Sequence, residues 1–220
     1  MTQEKLNREY KKLLSITGDS FSKAPLYVSL GEDSEHYPLF ANRSQTEFQK
    51  SLDGLVSSKG ATWSVSGYLE NRTTILRDFP GMIQEKRVYH LAVDLNLPCG
   101  TRLYAPHDCE VVLSEYEEGP GQFGGMLVLK VTKAPGKDTF YMQIGHLNPD
   151  TLPALGTGLK KGETFGNVGD MSQNGDWFHH IHFQILTAKG YDEGWLHKGY
   201  CKESDLPRIK EFCPDPFSYL

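Results

Sequence analysis

The chain has 220 residues, 38% hydrophobic and 23% charged, with 22 Gly, 12 Pro and a net charge of −5. This is room for one globular domain with a sizeable core, richer in turns and short strands than in long helices. The acidic balance and the lack of a Lys/Arg block exclude a nucleic-acid or anionic-membrane footprint, and no apolar run reaches the length of a membrane span.

Met1 to Tyr10 is polar and lacks the apolar segment of a signal peptide, so the expected location is cytoplasmic. Leu6, Tyr10, Leu13 and Leu14 fall at helical spacing and predict a short amphipathic helix over 4–15. Residues 25–38 read as an extended connection. Ser44-Gln-Thr-Glu47 is a capping-box pattern, followed by Phe48, Leu52, Leu55 and Val56, which predicts a helix over 45–57 ending near Gly60. Residues 1–60 are therefore a helical N-terminal extension, and residues 61–220 a β domain with a C-terminal tail.

From Trp63 the period changes to two. Strands are expected at 63–70, 88–95, 102–105, 110–114, 126–132, 140–147, 163–168 and 181–186, separated by Gly/Pro/Asp turns, with a connector over 71–87 and a long hairpin crossing over 113–125. Strands at this spacing without intervening helices predict a mainly β, antiparallel sandwich or barrel-like core. Cys99, Cys109, Cys201 and Cys213 form no Cys-x-x-Cys pair and are expected as free thiols.

Two stretches carry chemistry. His180-Ile-His182-Phe183 opens the last strand, and alternation turns both imidazoles to one face and Ile181 and Phe183 to the other. His90-Leu-Ala-Val-Asp94 repeats the logic: positions 90, 92 and 94 share a face on one strand, with the small Ala92 leaving space. A carboxylate on such an apolar strand needs a partner, either a cation or an arginine such as Arg72 or Arg87. His90, Asp94 and His182 make a two-His, one-carboxylate set, which suits a catalytic zinc with water in the fourth position, or non-haem Fe(II). His146, ending the apolar strand 140–147, and His180 are candidates for acid/base work or oxyanion stabilisation. His36, His107, His179 and His197 match no such pattern.

These residues resemble the lysostaphin-type zinc metallopeptidases, the family of the peptidoglycan endopeptidases. The resemblance rests on His90-x-x-x-Asp94, Gly145-His146-Leu147 and His180-Ile-His182-Phe183. Pro98-Cys-Gly-Thr-Arg-Leu-Tyr-Ala-Pro106 and Lys161-Gly-Glu-Thr-Phe-Gly-Asn-Val-Gly169 add to it, and it covers about residues 62–188. It implies Zn²⁺ held by His90, Asp94 and His182, catalytic roles for His146 and His180, and a peptide or amide substrate, including peptidoglycan-like peptides. Arg72 matches an arginine upstream of the first ligand. Ala92 stands where the family has Gly, and Asn174-Gly-Asp-Trp-Phe-His179 replaces the usual loop before His180. That loop and Cys213-Pro-Asp-Pro216 look more like a branch embedded in cytosolic multidomain aminotransferase proteins. The expected function is zinc-dependent peptide or amide hydrolysis, with zinc-bound water attacking the carbonyl. The alternative is a metal-binding, non-proteolytic regulatory or binding domain of the same fold.

Overall fold

Alternation along the strands decides how this chain layers. The computed structural model describes residues 1–41, 43–77 and 79–220. Its N-terminal part holds α1 (Gln3–Glu9), a 3-10 turn, α2 (Leu14–Thr17), β1 (Leu26–Tyr27), α3 (Tyr37–Phe40) and α4 (Gln45–Ser58). After β2 (Ser64–Ser66) and α5 (Pro80–Gln84) come β3 (Tyr89–His90), β4 (Val93–Asn96), β5 (Arg102–Tyr104) and β6 (Cys109–Glu117). Then follow β7 (Gly124–Val131), β8 (Phe140–Leu147), β9 (Gly158–Leu159), β10 (Thr164–Asn167), β11 (Ile181–Thr187), α6 (Ala188–Asp192) and β12 (Tyr200–Cys201).

Eight strands form one sheet in the order β1-β2-β4-β11-β8-β7-β6-β9, antiparallel except for the β1–β2 pair. Two small antiparallel pairs, β10–β5 and β12–β3, stand beside it. The fold is thus mainly β and antiparallel with short N-terminal helices, as expected, and the sheet does not close into a barrel.

One face of the sheet carries Val93, Leu95, Leu127, Leu129, Met142, Ile144, Phe183 and Ile185 into the main core, where Leu6, Leu13 and Ile16 of the N-terminal helices join them. Burying a side chain such as Phe183 contributes about 1.5–3 kcal/mol, so this face fixes the register. A one-residue slip would turn the whole set outward. The opposite face of the same strands carries Asp94, Gln143, His182 and Gln184, all at most 2% exposed. That face is the site.

The capping box at Ser44 and Glu47 is formed, and α4 starts where the pattern placed it. Other expectations were corrected. The helix expected over 4–15 is broken into α1, a 3-10 turn and α2. The hairpin expected over 113–125 is mostly strand, because β6 runs to Glu117 and β7 begins at Gly124. The single strand expected over 88–95 is two, β3 and β4, which pair with different partners: β12 and then β2 and β11. His90 and Asp94 therefore do not share the face of one strand; two short strands bring them together. The four cysteines are unbonded, as expected. Among the described residues no helix is long and apolar enough to cross a membrane.

Candidate active site

Strand register builds the floor of the site. His182 on β11 lies opposite Asp94 on β4 and Gly145 on β8. His90 is delivered by β3, held against Tyr200 of β12. The outcome is a buried trio: His90 Nε2 lies 3.0 Å from His182 Nδ1 and 3.2 Å from Asp94 Oδ1, and His182 Nδ1 lies 3.7 Å from that same oxygen. These three atoms sit together as a candidate metal-binding group.

Hydrogen bonds on the far side of each ring set the tautomers. His90 Nδ1 donates to the Gly67 carbonyl at 3.1 Å. His182 Nε2 donates to Gln184 Oε1 at 2.8 Å, and Gln184 is held that way round by its own amide nitrogen on Cys213 Sγ. With those protons committed, His90 Nε2 and His182 Nδ1 face each other as two lone pairs. Adding a second proton to the His182 ring is opposed: burial pushes it down to about 3, with His90 close by adding to it.

Asp94 divides its work between its two oxygens. Oδ2 accepts from Arg72 Nη1 at 2.5 Å, while Arg72 also meets Glu70 at 3.1 Å. Oδ1 is buried and has no hydrogen-bond partner among the described residues. Burial would raise the Asp94 carboxyl, but His90, Arg72 and His180 outweigh it and hold the group well below its usual range. So the arginine named as a possible alternative to a cation does pair with Asp94, yet leaves half of the carboxylate bare. Arg87 instead pairs with Glu85. Two imidazole lone pairs and one orphaned carboxylate oxygen, 3.0–3.7 Å apart, match the edges of a tetrahedron with arms of about 2.0–2.2 Å. The donor set fits a divalent zinc ion.

His146 and His180 stand beside this trio with their rings 4.4 Å apart. His146 sits in a bulge, where two residues of β8 (Gly145 and His146) oppose one on β7, and its φ is +66°. Such bulges re-aim a side chain; here the turn brings His146 to the cleft. Its Nδ1 donates to the Asn174 carbonyl at 2.7 Å. His180 Nδ1 donates to the Phe178 carbonyl at 2.8 Å, and its Nε2 lies 3.9 Å from Asp94 Oδ1. Both rings thus keep an Nε2 lone pair. Burial lowers His146 well below its ordinary value and His180 to about 4, so both are neutral at pH 7.

The loop before His180 is held by the N-terminal helix. Gln45 and Gln49, one turn apart on α4, accept the backbone N–H groups of Phe178 and His179 at 3.2 and 2.6 Å. His179 has its backbone fixed there and its ring away from the trio, lining a separate hollow with Gln49 and Leu52.

All five residues picked from the sequence are brought to one place. The spacing argument did not pick Gln184, which lies two residues beyond His182 on the same strand face and was legible by that rule. Tyr200 had no sequence signal; it arrives only because β12 pairs with β3, placing its ring 5.2 Å from that of His90.

Residues 88–193 match the family model described as peptidase family M23. Among solved structures, a zinc-containing peptidase from Vibrio cholerae is 24% identical, over 46% of this chain and 28% of that one, with a TM-score of 0.37. The catalytic domain of the antimicrobial peptidase lysostaphin from Staphylococcus simulans is 19% identical, over 56% of this chain and 80% of that one, at 0.39. The catalytic domain of EnpA, a prophage-encoded M23 protein from Enterococcus faecalis, is 20% identical, over 52% and 75%, at 0.39. No curated protein matches. His90, Asp94, His146, His180 and His182 all lie within the stretch that matches peptidase family M23, whereas Arg72 and Tyr200 lie outside it.

Proposed function

We infer that this chain is a zinc-dependent amide hydrolase of the metallopeptidase type. The single observation that carries the reading is the orphaned Asp94 Oδ1, buried beside two imidazole lone pairs with no proton to share. A buried group of acceptors without a donor is costly, and a cation is what such a group accommodates. His90, Asp94 and His182 would hold zinc, which when bound polarises a carbonyl and lowers the pKa of a water.

The protein's own groups supply the rest. Arg72 keeps Asp94 ionised and fixes its orientation through Oδ2. Gly67 and Gln184 keep the two ligand imidazoles in the tautomers that present lone pairs. His146 and His180, neutral and with free Nε2 atoms, are placed to take a proton from the attacking water and return it to the departing amine. Their neutrality is what allows either to act as base at pH 7.

The test is His146→Ala, assayed for bound zinc by atomic emission and for turnover on a panel of blocked dipeptide amides. The expected outcome is one zinc per chain in both proteins and turnover in the wild type alone, lower by 10²-fold or more in the variant on the order of a lost acid/base group. Wild-type protein that holds zinc but cleaves nothing would instead favour the metal-binding, non-proteolytic reading.

A further inference from the structure

A cleft of about 440 Å³ opens above the histidines. That is within the range of about 300–1,000 Å³ used for small ligands. Its floor is His146, His180 and His182; one wall is Ile75, Phe79, Met82 and Trp177. The Trp177 ring is the hinge between floor and wall. Its centroid lies 6.1 and 6.4 Å from His146 and His180, and 4.1 Å from Phe79. An apolar surface therefore begins where the proton-handling pair ends. The hairpin tip closes that end, since a Cβ on Gly121 would sit 2.6 Å from the Phe79 ring.

Ile75, Phe79 and Met82 precede the stretch that matches the peptidase family, whereas Trp177 lies inside it, so the wall joins residues from outside and inside that stretch. The charged side chains lining the cleft are each paired within the protein. Arg72 is engaged by Asp94 and Glu70, Arg87 by Glu85 at 2.6 Å, and His197 by Glu117 at 2.6 Å. Among the described residues, Arg72, Arg87 and His197 at the cleft are thus each already paired. The Trp177 indole N–H in that wall is buried and lacks a partner among the described residues. An unpaired buried donor is unusual and calls for an acceptor.

We propose, building on the reading of the site as an amide-hydrolysing centre, that this wall is a side-chain subsite. It takes a small neutral amide whose aromatic or branched aliphatic side chain, next to the scissile carbonyl, lies against Phe79, Trp177 and Met82. A glycine at that position leaves the wall uncovered and is selected against.

Calorimetry with N-acetyl-phenylalaninamide and N-acetyl-glycinamide, on zinc-loaded and on metal-free protein, tests this. The phenylalanine amide should bind at least about tenfold tighter in both states, the scale set by apolar groups in a hydrophobic pocket. Phe79→Ala should cut that ratio severalfold; Met82→Ala, at a half-buried position, should do the same and serves if the first variant fails to fold. Equal affinities for the two amides, or no binding of either at millimolar concentration, overturns the subsite. A preserved preference in protein that neither holds zinc nor cleaves amides overturns the hydrolase reading alone and leaves the subsite standing.

Discussion

Two clusters in this molecule have nearly the same ingredients and opposite characters. His90, Asp94 and His182 are buried; Glu115, Glu117 and His197, on the other side of the cleft, are half-exposed. In the exposed cluster His197 Nδ1 meets Glu117 at 2.6 Å and Glu115 at 3.3 Å, so an imidazole and two carboxylates satisfy each other with water at hand. In the buried cluster each histidine has spent its proton outward, and one carboxylate oxygen has nothing to accept from. Composition alone does not tell these two clusters apart. What distinguishes them is the count of acceptors left over where water is excluded.

The largest difference between the clusters should be in zinc. His182→Ala is expected to reduce bound zinc from one per chain to none, while His197→Ala leaves it at one; metal analysis after dialysis decides. Zinc retained in the first variant, or lost in the second, would break the comparison.

Next comes the ion pair. Arg72→Met removes a fully buried cation from a fully buried carboxylate, a change that typically costs about 3–5 kcal/mol. Urea unfolding of metal-free protein should show that loss, and zinc should restore part of it by binding the native state. A matching removal in the exposed cluster, Glu115→Gln, should move the midpoint little, since half-exposed pairs contribute about 0–1 kcal/mol.

The last test concerns pH. His180 and His182 have folded values lowered to about 4 and about 3, below the ordinary value of about 6.5 of an unfolded chain. Between those limits the unfolded state binds more protons, so stability rises with pH. Metal-free protein should hold its full stability above about pH 6.5 and lose it progressively as pH falls through the window. Urea midpoints at pH 7, 6, 5 and 4 measure this. A flat profile would mean the rings are not held neutral by burial.

Much of this was legible in the sequence, for identifiable reasons. The period-two runs gave the main core and the antiparallel sheet because burial of one face is a local pattern. His180 and His182 were placed on one side for the same reason. His90 and Asp94 were brought together correctly but on a wrong premise: the strand breaks at Leu91 and Ala92, and the meeting depends on β12, about 110 residues further along (200 against 90). Nor does the sequence say that His146 is aimed by a bulge, since nothing local marks a histidine at φ +66°. Arg72 was one of two equivalent arginines until burial separated it from Arg87. Long-range pairings of this kind are set by tertiary packing, which local patterns do not encode.

The two glutamines of α4 carry one further consequence. His90, Asp94, His146, His180 and His182, the residues proposed to hold metal and move protons, all lie between positions 88 and 193, so a fragment cut to that stretch would retain all five. It would lack the helix whose side-chain oxygens grip the two peptide N–H groups just ahead of His180. On the proposed reading α4 works as a jig: none of its side chains is among those five, yet it fixes the backbone that presents His180. On that reading a change at Gln45 or Gln49, more than 120 residues before His180, would spoil its aim without touching any of the three proposed metal ligands.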